Sequence, residues 1–160
     1  MEVALFEPRI PQNTGNIARS CAAFNTTLNL IEPFGFKLED KYLKRAGLDY
    51  WPLVTVNRYV NFDKFMESYL TNRIISFSKK NGIYLKDFKF QQDDVLLFGR
   101  EDSGLPDSII DKSDFLISIF MPNLQTGTSD QNGVRSLNLS VACGIAIYEA
   151  HKQINFKNDN

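Results

Sequence analysis

The sequence has 160 residues, 43% of them hydrophobic and 23% charged, and a formal net charge of −1. That length suits one domain, spanning 1–160, that folds without disulfides or a structural metal, and the near-neutral charge excludes a molecule that attracts nucleic acid by overall charge alone. No apolar run approaches the roughly 20 residues that span a bilayer, and the N-terminal MEVALFEPRIP lacks the basic and apolar regions of a signal peptide, so a cytoplasmic location is expected.

In chain order, Val3 to Phe6 reads as a first strand. After a Pro-rich turn a helix is expected from about Thr14 to Phe24, with Asn13 as its cap. Leu28 to Ile31 reads as a second strand, and Glu39 to Ala46 as a helix ended by Gly47. A short strand is expected at Val54 to Val56, then a helix from Asn61, its cap, to Tyr69. Arg73 to Phe77 and Val95 to Phe98 are the clearest interior strands. Pro106 opens a short helix to about Asp111, and Leu116 to Phe120 is the last strand. A polar stretch, NLQTGTSDQNG, lies between Pro122 and Val134 and is expected to be mobile. The longest helix is expected from Leu137 to Gln153, buried around Val141, Ala142, Ile145 and Ala146, with a frayed tail over 155–160. Strands alternating with helices predict an α/β domain: a mostly parallel sheet flanked by helices. Cys21 and Cys143 sit in apolar helical patterns and read as reduced core thiols.

Three segments place Gly, Asn, Arg and Glu at strand-to-helix junctions, where parallel sheets bind ligands. In Pro8 to Cys21, Arg19 follows Asn13 by six positions and is expected to project toward the same opening; alone, the segment also fits a capped helix with a surface arginine. In Val95 to Pro106, a strand runs into Gly99, where a missing side chain admits a ligand, and Glu101 follows; a tight turn fits as well. In Val134 to Ala150, Ser136 and Asn138 precede an apolar helix, as ligand groups or as a plain N-cap. The chain contains no dinucleotide fingerprint, P-loop or zinc-ligand spacing. Lys37, Lys41, Lys44 and Arg45 cluster, and Arg9, Arg19, Lys79, Lys80 and Arg135 lie near the three segments. They suit either a basic face or a mixed-charge surface.

Together NTGNIARSCA, KRAGLDYW, LFGREDSGLP and VRSLNLSVACGIAIYEA resemble the motifs of the SpoU branch of SPOUT methyltransferases, over Val3 to Gln153. The similarity is greatest to the type that methylates the wobble ribose of tRNA. The resemblance implies an S-adenosylmethionine-dependent 2′-O-methyltransferase acting on C or modified U at position 34, in leucine isoacceptors. It further implies a C-terminal trefoil knot, a homodimer, tRNA as partner, and neither a metal nor a membrane. Carried over by position, Phe77, Gly99, Ile119, Ser136 and Leu137 are expected to line the cofactor pocket. Arg19 is the expected catalytic residue, more readily by stabilising an alkoxide or gripping a phosphate than as a base. Asn13 is expected to orient Arg19 or the ribose, Glu101 to hold Arg19 or the substrate, and Asn138 to fix the motif loops. His151 reads as a helix-end surface residue. The family's usual Ile-Pro-Met is here Ile119-Phe120-Met121-Pro122, and the loop after it is longer, bordering the cofactor as a potential lid. Methylation at another tRNA or rRNA site, and a non-catalytic knotted RNA-binding protein, are the competing readings.

Overall fold

The computed structural model describes residues 1–37, 51–79, 81–122 and 136–155. The expected helix at 39–46, most of KRAGLDYW, the polar stretch from Asn123 and the tail from 156 lie outside them.

Seven strands form one sheet: β1 (Glu2–Phe6), β2 (Thr27–Ile31), β3 (Val56–Tyr59), β4 (Ile74–Phe77), β5 (Ile83–Tyr84), β6 (Val95–Phe98) and β7 (Phe115–Ser118). Their order is β3-β2-β1-β6-β4-β7-β5, and every pairing is parallel. The helices are α1 (Pro11–Ala23), α2 (Phe62–Ser68), α3 (Asp107–Ile110) and α4 (Leu139–Asn155).

Both faces of the sheet are covered, which is why the strands read as apolar runs rather than as alternation. Successive side chains nevertheless point to opposite faces. Val3, Leu5, Ile75, Phe77, Leu96 and Phe98 pack with Ile17 and Cys21 of α1 and Cys143, Ala146, Ile147 and Ala150 of α4. Ala4, Phe6, Ile74, Val95 and Leu97 pack with Phe62 and Phe65 of α2 and Ile109 of α3. The expected α/β class with a parallel sheet is therefore observed.

Several boundaries differ for physical reasons. Helix α1 starts three residues early because Pro11 occupies its first turn, where the missing N–H costs nothing. Asn13 is thus inside the helix, and the N-cap position is Ile10, which has no capping side chain. Strand β3 begins at Val56, not Val54; Val54 is buried but follows a 3-10 turn over Trp51–Leu53. Strand β7 ends at Ser118, two residues before Phe120. Pro106 stands just ahead of α3 rather than inside it. Asn61 does cap α2, its Oδ1 accepting from the Lys64 N–H at 2.9 Å.

Of the positions expected to be buried in helix α4, Ala146 is fully buried and Ala142 half-buried, but Val141 and Ile145 are exposed. Cys143, Ala146, Ile147 and Ala150 are fully buried, whereas Val141, Ile145 and Tyr148 are exposed. The helix is apolar nearly all round, so composition could not choose its inner face. Cys21 and Cys143 are both free and buried, and burial pushes the Cys21 thiol up to about 12. His151 is no simple surface group: Nε2 lies 2.9 Å from Thr26 Oγ1 and its ring packs on Phe24 at 5.1 Å. Burial lowers its pKa.

Candidate active site

The carboxyl ends of β4, β6 and β7 open into a cavity of about 220 Å³, at the kind of position where open parallel sheets bind ligands. Phe77, Phe98, Leu105, Ile119, Met121, Leu137, Leu139 and Ala142 give it apolar walls. Ser78, Lys79, Arg100, Glu101, Asp102, Ser103 and Ser136 add polar groups, and Gly99 and Gly104 expose backbone. Phe77 and Phe98, both buried, stack on each other at 4.5 Å and nearly parallel in its wall.

The Gly99–Leu105 turn is tight. The Arg100 N–H donates to the Gly104 carbonyl at 3.1 Å, and the Gly104 N–H returns a bond at 2.9 Å. A Cβ on Gly99 would run into the backbone of Gly104 and Leu105. Gly104 has φ +73°, the region that favours glycine. The missing side chain at Gly99 thus serves the tight turn, which packs against it.

Glu101, in that turn, serves helix α1. Its carboxylate accepts from the backbone N–H of Arg9 at 2.8 Å and of Ile10 at 3.1 Å. It also accepts from Asn13 Nδ2 at 3.2 Å. The N-terminus of α1 is therefore capped by a carboxylate about 90 positions away, where the helix dipole favours negative charge. Asn138 continues the chain of bonds. Its Nδ2 donates to Asn13 Oδ1 at 3.0 Å, while its Oδ1 accepts from the Ser140 N–H at 2.8 Å and hydroxyl at 2.7 Å. Asn138 thus holds the start of α4 and ties it to α1.

Phe77, Gly99, Ile119, Ser136 and Leu137 all lie on the cavity wall with Glu101, and Asn13 and Asn138 stand one and two hydrogen bonds behind Glu101. Arg19 is not brought into this group. It is exposed on α1 and absent from the wall; six helical positions turn it about 240° from Asn13. Glu101, expected to hold Arg19 or the substrate, makes the three bonds to α1 just described. Asn13, expected to orient Arg19 or the ribose, bonds Glu101 and Asn138.

Arg100 went unread in the sequence. Its Nε and Nη2 donate to Glu7 Oε2 at 2.9 and 2.6 Å, and its guanidinium lies 5.2 Å over the Phe6 ring. The same oxygen accepts from Arg9 Nη2 at 3.1 Å. Glu7 and Arg100 are 93 positions apart, so no local pattern announces their pairing. Among the described residues no group of three or more His, Cys, Asp or Glu is placed to hold a metal, and no helix is long and apolar enough to cross a membrane.

Comparison with known proteins places this arrangement. The SpoU rRNA methylase family model matches residues 1–148. The chain is 47% identical, over 97% of its own length and 90% of the relative's, to a Lactococcus lactis protein assigned as a tRNA (cytidine(34)-2′-O)-methyltransferase. It is 38% identical to the tRNA (cytidine(34)-2′-O)-methyltransferase of Aeromonas hydrophila, covering 98% and 96% of the two chains. A solved structure described as giving insight into 2-OH methylation of C/U34 on tRNA superposes with a TM-score of 0.86 at 42% identity, over 95% of this chain and 94% of the other. The chain belongs to the SpoU methylase family.

Proposed function

We propose that this protein transfers a methyl group from S-adenosylmethionine to the ribose 2′-OH of the wobble nucleotide, C or modified U at position 34, of tRNA. The carrying observation is the cavity at the ends of β4, β6 and β7, in a chain so similar over nearly its whole length to enzymes bearing that activity's name.

The cavity residues fit the cofactor. The apolar walls suit a purine, and the backbone at Gly99 and Gly104 suits the donor and acceptor edge of adenine. When bound, S-adenosylmethionine supplies a methyl group already activated for attack by an oxygen nucleophile. The chain's own task is orientation. Glu101, Asn13 and Asn138 lock the cavity turn, α1 and α4 into one frame. Arg19 is proposed to steady the developing ribose alkoxide or an adjacent phosphate. Because it stands off the cavity wall, that role requires the RNA to run from the mouth across the exposed face of α1.

The remaining proposals follow from the same reading: a C-terminal trefoil knot, leucine isoacceptors as substrates, a cytoplasmic location, and a homodimer. The homodimer has support in the surface. Val141, Ile145 and Tyr148 are exposed along α4 and share an apolar groove with Phe120 and Tyr84. A second copy would cover it.

The test is methyl transfer from labelled S-adenosylmethionine to total tRNA, by wild type and by Arg19→Ala. Transfer by the wild type and its loss in a folded variant are expected. Transfer by Arg19→Ala at the wild-type rate would remove the assigned role, and no transfer by wild type to any tRNA would remove the function.

A further inference from the structure

The cluster of Glu7, Arg9 and Arg100 is not used by the frame described above. Strand β1 ends and Glu7 follows with φ +46°, a backbone conformation that disfavours any residue carrying a Cβ. Strained residues of this kind gather at functional positions. The twist sets one Glu7 carboxylate oxygen between two guanidiniums, and the Glu7 side chain is only 14% exposed. Arg9 and Arg100 remain 37% and 25% exposed. Within this triad one carboxylate faces two guanidiniums, and the carboxylates of Glu101 and Asp102 stand beside it.

A mere brace between the ends of β1 and β6 would need one arginine. Here Arg100 is held along one edge by Glu7 and laid on Phe6, yet it still lines the cavity. A guanidinium carries five donors in a rigid fork, so a clamped arginine of this type is preorganised for a phosphate. The neighbouring acids do not cancel it equally. Glu101 is committed to the backbone N–H groups of Arg9 and Ile10, at the positive end of a 13-residue helix. Asp102 is exposed and bonded by the Ser103 hydroxyl at 2.8 Å. Lys79 on the cavity wall adds a positive group.

We propose that Arg100 and Arg9, spaced by Glu7, form a phosphate subsite at the mouth of the cavity that takes the RNA backbone phosphate next to the target ribose. This rests on the RNA-methylating reading above and gives that reading a grip on the strand that the cavity alone lacks. Phosphate contacts set register without reading sequence, so the subsite positions the ribose and leaves base choice to other surfaces.

The experiment uses the full chain with S-adenosylhomocysteine and a labelled anticodon stem-loop, comparing wild type, Arg100→Gln and Arg9→Gln across a salt series. Each variant is expected to weaken RNA binding about tenfold and to lower the slope of log affinity against log salt by about one. In Arg9→Gln, whose side chain lies off the cavity wall, affinity for S-adenosylhomocysteine and the melting temperature should stay at wild-type values. Arg100→Lys, which keeps the charge without the fork, should recover the slope but not the full affinity. Unchanged RNA affinity and slope in both Gln variants would overturn the subsite. So would a lowered melting temperature with cofactor and RNA affinity lost together, the mark of a brace. Failure of the wild type to bind the stem-loop would instead remove the RNA reading itself.

Discussion

Replacing Glu101 separates a helix-capping carboxylate from one that touches substrate. In Glu101→Ala, the Arg9 and Ile10 N–H groups and Asn13 Nδ2 lose their acceptor. Hydrogen bonds to a charged group contribute about 1.5–3 kcal/mol each. Because this site is partly solvated, the low end for the two backbone bonds gives about 3 kcal/mol. Glu101→Gln keeps one carbonyl acceptor but loses the charge at the helix terminus, so about half that loss is expected. With a urea slope of about 2 kcal/mol/M, the unfolding midpoint should fall by about 1.5 M for Ala and about 0.7 M for Gln. Circular dichroism at one fixed protein concentration measures this, since a dimer's stability depends on concentration. A Glu101→Ala protein that unfolds at the wild-type midpoint but transfers no methyl group would refute the reasoning, and would give Glu101 to the substrate.

Gly99→Ala should reduce S-adenosylmethionine binding at least about tenfold by calorimetry, because the new Cβ meets the Gly104–Leu105 backbone and displaces the cavity wall; wild-type affinity would show that the turn yields. Ile145→Glu together with Tyr148→Glu should convert a dimer to a monomer in sedimentation velocity, without loss of secondary structure, if α4's exposed apolar face is the interface; a dimer that persists places the interface elsewhere. His151 has a folded-state pKa below its ordinary 6.5, chiefly through burial. The unfolded chain therefore binds the proton more readily, and stability from the neutral ring is lost as pH falls from about 6.5 toward the lower folded value. The stability difference between wild type and His151→Phe should shift in the variant's favour between pH 7.5 and 5.5; a pH-independent difference would contradict it.

The central strands were legible because β1, β2, β4 and β6 are short, nearly continuous apolar runs bounded by turn residues, the pattern of a sheet buried on both faces. What escaped was decided at long range. Asn13 looks like a helix cap in sequence, but the capping group is Glu101, and only the folded turn after β6 brings it to α1. Strand β5 spans two exposed residues and carries no periodic signal. The inner face of α4 is set by packing on α1 and β6, not by its composition. The residues of the cavity come from several segments, each compatible with an ordinary turn or cap. The family resemblance gathered Phe77, Gly99, Ile119, Ser136 and Leu137, and the structure places those five around one cavity. It also drew attention to Arg19, which lies off the wall, and passed over Arg100, whose partner Glu7 is distant in sequence.

The most direct test of the account uses two synthetic leucine-tRNA anticodon stem-loops, identical except that one carries a 2′-deoxyribose at position 34. Incubated with the protein and labelled S-adenosylmethionine, the all-ribose RNA should accept about one methyl group, mapped to nucleotide 34, and the 34-deoxy RNA none. Equal labelling of both, or label at any other nucleotide, would contradict the wobble-ribose assignment.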